Sequence, residues 1–367
     1  MRDLTFTFIG LGLIGGSIAK AIKTHLPNAK IKAYDTDMSS LSLAMKDKTV
    51  SSIYTELTEE LCHADYIFLC APVAINEQNL QFIKNYINGN TIITDVGSVK
   101  TSMHSIIQSM DLEAQFIGGH PMAGSERFGY QNAKDTLIEN AYYILTPTSK
   151  VPTESSKEFI EIVQNIKAIP LIMDYNEHDY VTAAISHLPH LIAAGLVNLV
   201  KQSDSSNEYM KQVAAGGFKD ITRIASSNPT MWEQVCLSNR DNIKKLLCDY
   251  INSLESMKNM LDSKDGFAIF DMFTTARDYR DSFSNTGNGP IKPSFIITVE
   301  IADKTGSLAE ITAILASESI SIKNLNIIHN REDAFGALSV EFYRDIDMLK
   351  AIELLQKANF DTFMKKL

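Results

Sequence analysis

The chain has 367 residues, 45% of them hydrophobic, which is enough for two or three domains with packed cores. A formal net charge of −10 and a pI near 5.3 exclude nucleic acid as the main partner, because phosphate recognition needs a basic face. The four cysteines, Cys62, Cys70, Cys236 and Cys248, lack metal-ligand spacing and read as reduced thiols of a cytoplasmic protein.

The chain enters a strand pattern at once, so no leader is expected. Residues 4–9, Leu-Thr-Phe-Thr-Phe-Ile, read as a buried strand. Gly10-Leu11-Gly12-Leu13-Ile14-Gly15 follows, and then a helical run from Gly16 to about Thr24. G-x-G-x-x-G between a strand and a helix is a dinucleotide fingerprint. The first glycine permits the turn, the second leaves room for a pyrophosphate, and the third lets helix and strand pack closely. The helix N-terminus, with Leu13 and Ile14 beside it, offers N–H groups to the phosphates. The next strand, residues 31–34, ends in Asp35. A carboxylate there binds ribose hydroxyls and repels a 2′-phosphate, which predicts NAD over NADP. The other reading of Asp35 is a cap on the segment after it.

Strands at residues 66–70 and 91–94 lead into Ala71-Pro72-Val73 and Asp95-Val96-Gly97-Ser98-Val99-Lys100. Ligands of open α/β sheets sit at the carboxyl ends of strands, so Ala71, Pro72, Asp95 and Ser98 are candidates to face the cofactor, with Lys100 a further polar candidate. Ser98 could equally cap a helix that starts near Thr101. Residues 114–117 read as a strand end before Gly118-Gly119-His120-Pro121-Met122-Ala123-Gly124-Ser125-Glu126. This glycine-rich loop carries one histidine, suited to proton transfer near neutrality, and a carboxylate six residues later. On spacing alone, a turn histidine is the commoner meaning of His120. Strands at 141–145 and 170–173, with a helix at 153–167 between them, close the first domain at residue 173.

Strand patterns cease after Asp174, and helical segments run to about residue 283. The longest apolar stretch, residues 188–200, is too short to cross a bilayer. Ser186-His187-Leu188-Pro189-His190 puts two histidines three apart, with Pro189 expected to kink the helix. No nearby carboxylate or third histidine completes a ligand set, so no metal is expected. In Gly216-Gly217-Phe218-Lys219-Asp220-Ile221-Thr222-Arg223, two cations four apart share a helix face. They form a plausible carboxylate receptor, or else a basic face neutralised by Asp220. Trp232 is the only tryptophan. The apolar spacing of helices at 231–260 and 268–283 suggests a bundle that buries one face against a second subunit. Residues 286–293 read as a linker, and residues 294–367 follow the order βαββαβ of a ferredoxin-like module.

In order and spacing, these motifs resemble the prephenate dehydrogenase family of tyrosine biosynthesis with an appended ACT regulatory domain. The resemblance is carried by the Gly10–Gly15 fingerprint, the Asp95 to Lys100 run, the Gly118 to Glu126 run, Ser186 to His190, Gly217 to Arg223, and Met231-Trp232. More loosely, Asp303-Lys304-Thr305-Gly306-Ser307-Leu308 is similar to the ACT loop, with Thr305 where proline is usual.

The family implies an α/β chain with an NAD-binding Rossmann domain at 1–173, a helical prephenate-binding and dimerisation domain at 174–285, and an ACT domain at 294–367. It implies NAD-dependent oxidative decarboxylation of prephenate, inhibition by tyrosine, and a homodimer that meets neither nucleic acid nor membrane. His120 is then the base for the substrate's 4-hydroxyl, with Ser98 orienting it or bonding the same hydroxyl. Arg223 is the ring-carboxylate receptor. Lys219 and His190 serve the side-chain end, with Trp232 beside them, and Glu126 and Asp220 gate the pocket. Asp303, Gly306 and Asn324 are the effector-site candidates. Arogenate, which has an amino group where prephenate has a keto group, is the alternative substrate. A non-catalytic NAD and amino-acid sensor is disfavoured by the intact His120, Ser98 and Arg223. A β-hydroxyacid dehydrogenase would place a lysine base where this chain has His187 and His190.

Overall fold

The computed structural model describes residues 3–124, 127–283, 295–302, 306–328 and 335–364. The first helices and strands alternate as the sequence predicts: β1 (Thr5–Ile9), α1 (Leu13–His25), β2 (Lys30–Tyr34), α2 (Met38–Lys46), β3 (Ser52–Tyr54), α3 (Glu59–Cys62), β4 (Tyr66–Leu69), α4 (Val73–Ile83), β5 (Ile92–Asp95) and α5 (Thr101–Ser109). The five strands form one parallel sheet in the order β3-β2-β1-β4-β5. Ile9 pairs with both Tyr34 and Leu69, and Leu69 with Asp95, so the ends of β1, β2, β4 and β5 lie along one edge. Gly10, Asp35, Ala71 and Val96 all begin there.

Alternation along the strands builds two cores. Phe6, Phe8, Tyr66 and Phe68 point to one face, where Phe8 stacks on Phe68 at 4.8 Å and Tyr66 on Phe159 at 5.5 Å. Ile9, Ile67, Leu69 and Ile93 point to the other, against Met103 and Ile107 of α5. Both faces being covered is what an all-parallel sheet requires.

A smaller sheet extends this one. It comprises β6 (Ile117–Pro121), β7 (Tyr142–Pro147) and β8 (Ile169–Ile172), with α6 (Thr153–Asn165) between the last two. β6 and β7 are antiparallel, β7 and β8 parallel, and a bridge from Ile93 to Phe116 joins the smaller sheet to β5. Residues 117–121 are thus a strand, where a loop was expected. The two glycines serve packing: a Cβ on Gly119 would lie 2.6 Å from the Asp95 carbonyl oxygen, and one on Gly118 would collide with Thr146 Oγ1.

Helices follow: α7 (Tyr175–Thr182), a π-helical turn (Ala183–His187), α8 (Leu188–Ser203), α9 (Tyr209–Val213), α10 (Gly216–Thr222), a 3-10 turn (Arg223–Ser226), α11 (Pro229–Ser238), α12 (Arg240–Asp262) and α13 (Gly266–Ser282). A π-turn precedes Pro189, where a kink was expected, and such turns are among the places at which helices bend. Proline has no N–H to give, and the preceding Leu188 N–H reaches back five residues to Ala183 O. The combined helix, Tyr175–Ser203, has 29 residues and is long and apolar enough to cross a membrane. Its His178, Asp179 and His187 are nevertheless buried, and they bond protein groups.

The chain divides into two compact units, Met1–Lys258 and Asn259–Leu367, each described by itself. The second contains β9 (Phe295–Ala302), α14 (Ser307–Ser317), β10 (Ile322–Ile328), β11 (Phe335–Phe342), α15 (Asp345–Lys357) and β12 (Thr362–Met364). The strands form an antiparallel sheet in the order β10-β11-β9-β12, the ferredoxin-like arrangement. Ile297, Val299, Leu338 and Val340 pack on Ile311, Leu315, Ala351 and Leu355 of the helices. Gly306 takes φ +97° to start α14, and Asn324 lies exposed at a register shift in β10. Asp303 and the expected linker, 286–293, lie outside the described residues.

Candidate active site

The fingerprint loop fits a dinucleotide. Gly10 has φ +98°, and a Cβ there would lie 2.9 Å from the Cys70 carbonyl carbon. At Gly12 a Cβ would meet nothing within 4 Å, so the loop opens onto free space at that point. Helix α1 begins at Leu13, earlier than predicted, and no side chain caps its first turn. The N–H groups of that turn are the kind of donors a pyrophosphate uses.

Asp35 does not cap the following helix. Asp37 does, accepting from the N–H groups of Ser39 and Ser40. The Asp35 carboxylate instead turns to the glycine loop and accepts the Leu11 N–H at 2.6 Å. Ala71 and Pro72 stand at the end of β4, where Pro72 precedes α4 and the Ala71 carbonyl accepts from Asn76.

His120 lies near the end of β6, at the same sheet edge. Its Nδ1 is 2.8 Å from Nε2 of His178 on α7, and His178 Nδ1 is 2.8 Å from Asp179 Oδ1. The ionised carboxylate only accepts, so His178 carries its proton on Nδ1 and accepts with Nε2. His120 must then donate from Nδ1, which leaves its Nε2 with a bare lone pair. Burial, with help from His178 and Lys100, pushes His120 well below the ordinary histidine range, so the ring is neutral at physiological pH.

Asp179 is tied down from several sides. Oδ1 accepts the Lys100 N–H at 2.7 Å, and Oδ2 accepts the Thr101 N–H at 2.8 Å and the Thr101 hydroxyl. Burial raises its pKa, but the bonds from His178, Thr101 and Lys100 outweigh that and hold it below the usual carboxylate range. These bonds also satisfy the N-terminus of α5. Ser98 is not spent as a cap there, and it sits half-buried in the loop before that helix.

A buried ion pair underlies β6. Lys100 Nζ contacts Asp95 Oδ2 and donates to the Gly119 carbonyl at 2.7 Å. Asp95 also accepts the Gly97 N–H at 3.0 Å and the Gly119 N–H at 3.2 Å. Its carboxylate is therefore committed inward, which corrects its expected place facing the cofactor. The pair fixes both the backbone beside His120 and the loop that holds Ser98.

The far wall comes from the helices. His187 Nδ1 lies 3.1 Å from Asn239 Nδ2, which also donates to the Asp179 carbonyl at 2.7 Å. Burial lowers His187 to about 4. His190 donates from Nδ1 to the Ser186 carbonyl at 2.8 Å, leaving Nε2 as an acceptor. Its ring stacks on Trp232 at 3.7 Å, while His187 meets the same indole edge-on at 6.0 Å. Burial lowers His190, and the Arg223 charge adds to this. Trp232 Nε1 is buried with no acceptor among the described residues.

The expected cation pair spans a change of helix type. Helix α10 ends at Thr222, and Arg223 opens the tighter 3-10 turn. Arg223 stands within electrostatic reach of His190, whereas Lys219 lines a cleft of about 580 Å³ with Val197, Val200, Met210 and Phe218. Asp220 is exposed on α10. Glu126 lies outside the described residues. Sequence reasoning gives no role to His178, Asp179 or Asn239, and marks Lys100 only as a polar candidate. The available signal is the His178-Asp179 dipeptide at the opening of an otherwise apolar helix.

Residues 18–170 match the family profile described as prephenate dehydrogenase, nucleotide-binding domain, and residues 174–275 match that described as prephenate dehydrogenase, dimerization domain. A prephenate dehydrogenase of Bacillus subtilis is 38% identical over 99% of this chain and 98% of its own length. A crystal structure of prephenate dehydrogenase from A. aeolicus, in complex with hydroxyphenyl propionate and NAD+, superposes with a TM-score of 0.73. It is 28% identical and covers 77% of this chain and 99% of that one. Synechocystis arogenate dehydrogenase gives a TM-score of 0.70 at 26% identity, covering 76% of this chain and 100% of that one.

Proposed function

The chain belongs to the prephenate dehydrogenase family of NAD-dependent oxidoreductases, and from this we propose a role for each residue of the site. Its reaction is the oxidative decarboxylation of prephenate to 4-hydroxyphenylpyruvate. When bound, NAD supplies the acceptor for the hydride that leaves C4 of the substrate. Gly10, Gly12, Leu13, Ile14 and Gly15 would hold its pyrophosphate, and Asp35 its adenine ribose.

The observation that carries the reading is the bare Nε2 of His120, fixed by His178 and Asp179 at the edge where the fingerprint opens. A neutral imidazole with a fixed tautomer can take the 4-hydroxyl proton without first losing one of its own. Ser98 bonds the same hydroxyl and aims it. Arg223 receives the ring carboxylate, and its hold must be loose enough for CO₂ to depart. Aromatisation drives that departure, so the protein has mainly to position and polarise. His190 and Trp232 face the side-chain end, with Lys219 further out, and Asp220 and Glu126 stand as gate residues.

A second reading has one specific observation in its favour. The free Nε2 of His190 is an acceptor, which suits the ammonium of arogenate. The orphan Trp232 N–H is a donor, which suits a keto or carboxylate oxygen. The full-length similarity to the Bacillus enzyme supports prephenate. NADH formation with prephenate and arogenate side by side decides the matter, with prephenate expected to give the higher kcat/KM. A preference for arogenate would reverse the assignment.

The same assay with tyrosine tests regulation. We assign residues 294–367 as an ACT effector domain for tyrosine, with Asp303, Gly306 and Asn324 at its site, and 1–173 and 174–285 as the catalytic domains. Truncation near Pro290 should leave an active enzyme insensitive to tyrosine. Retained inhibition would place the effector in the catalytic pocket. The match to a dimerization domain supports a homodimer, and reduced thiols support a cytoplasmic location.

A further inference from the structure

The reaction has a proton balance that the site must meet. Prephenate carries two carboxylates, and 4-hydroxyphenylpyruvate keeps one. The other leaves as neutral CO₂, and its bonding electrons pass through the ring to the C4 oxygen. Prephenate and NAD+ thus become 4-hydroxyphenylpyruvate, CO₂ and NADH with no proton left over. The proton taken from the hydroxyl is needed again on the same oxygen once the phenolate forms. It must be held nearby for the interval between.

We infer that His120 and His178 form a proton store, in which His178 is the positioning residue that holds the charge while CO₂ leaves. This inference rests on His120 being the base. The O–H bond breaks and its proton joins His120 Nε2. The proton on His120 Nδ1 crosses 2.8 Å to His178 Nε2, and the positive charge then sits beside Asp179. When CO₂ has gone, both transfers reverse: His178 returns its proton to His120 Nδ1, and His120 returns one to the oxygen.

The surroundings favour this direction. The buried Lys100 ammonium stands near His120 and opposes charge there. Asp179, already bound to His178, compensates charge on the second ring. Asp95 faces Lys100 from the end of β5, and His104 completes the ionisable groups contributed by α5. His178 is fully buried, so the stored proton is kept from exchanging directly with water.

The test uses the full-length enzyme. In His178→Asn, kcat should fall about 10–100-fold, the scale of losing a group that orients another. The acid limb of the kcat/KM profile should also move, because the base is then His120 alone and no longer a coupled pair. NAD binding, followed by fluorescence, should not change. Histidine-selective ¹⁵N NMR of the wild-type protein should show His120 with a protonated Nδ1 and a bare Nε2 between pH 6 and 8. An unmoved acid limb in His178→Asn, or a protonated Nε2 on wild-type His120, would overturn the store. Failure of the base assignment looks different: His120→Asn would then retain turnover. Asp179→Asn, which puts a donor where His178 needs an acceptor, should reproduce the His178→Asn profile if it folds, and the NMR measurement needs no variant at all.

Discussion

The two halves of the site are built differently. Around His120, bonds join His178, Asp179, Lys100, Asp95 and Thr101 before any ligand arrives. Around Trp232, the indole N–H has no acceptor among the described residues, and Arg223 and Lys219 are exposed on short helical turns. The first half has to place one lone pair to within a fraction of an ångström, and packing can fix that in advance. The second has to admit a dianion and release a different anion. A finished network there would obstruct entry.

The comparison breaks most visibly at the base. His120→Asn should lower kcat by about 10²–10⁴ while NAD still binds, as measured by steady-state kinetics and calorimetric titration. Near-wild-type turnover would remove the chemical half of the contrast. Next in size is Lys100→Met, which strands the Asp95 carboxylate in the core. Breaking a buried pair on one side costs about 3–5 kcal/mol, readable by urea unfolding. Lys100→Met with Asp95→Asn should recover part of it, and no recovery would mean the pair is not the cause.

On the open half the expected losses are smaller and of another kind. Arg223→Ala should raise KM for prephenate, at about 1.5–3 kcal/mol for a bond to a charged group, and leave unfolding unchanged. A normal KM would sever Arg223 from the substrate. The smallest effect expected comes from acid. His104 and His187 are both held down to about 4 by burial, against an ordinary value of 6.5. The unfolded chain therefore binds more protons than the folded one between those values, and stability falls as pH drops from about 6.5 towards 4. Between pH 6.5 and 5.5 the loss should be about 1–2 kcal/mol, since each ring can contribute at most roughly 1.4 kcal/mol over one pH unit. A flat melting temperature across that interval would show that these rings accept protons without cost.

Much of this is legible from local patterns, because local geometry sets them. The fingerprint can be read because Gly10 and Gly12 answer backbone demands that neighbouring residues impose. His120 can be picked out by residue type, but its strand cannot. The glycines before it look like loop until β5 and β7 are known to press on them. The relay is hidden for another reason: His178 meets His120 across 58 residues of chain, and no spacing rule links them. Lys219 and Arg223 stand four apart in a run that reads as one helix, whereas α10 ends at Thr222 and Arg223 opens a 3-10 turn. Position at a strand end points Asp95 towards the cofactor, but a lysine five residues on claims its carboxylate.

The π-turn at Ala183–His187 carries a consequence for how this helix tolerates change in length. It holds one residue more than an α-helix of the same rise would need. Deleting a single residue there would give a more regular helix and leave His190 close to its present phase, because the π-turn takes one residue more than an α-turn to cover nearly the same rotation. The same deletion in the regular turn between His178 and Ala183 would put everything beyond out of phase by about 100° relative to His178. His190 would then leave the indole, while the His178 pair on the other side stayed in place. The alignment of the two half-sites therefore tolerates a lost residue inside the π-turn and not beside it.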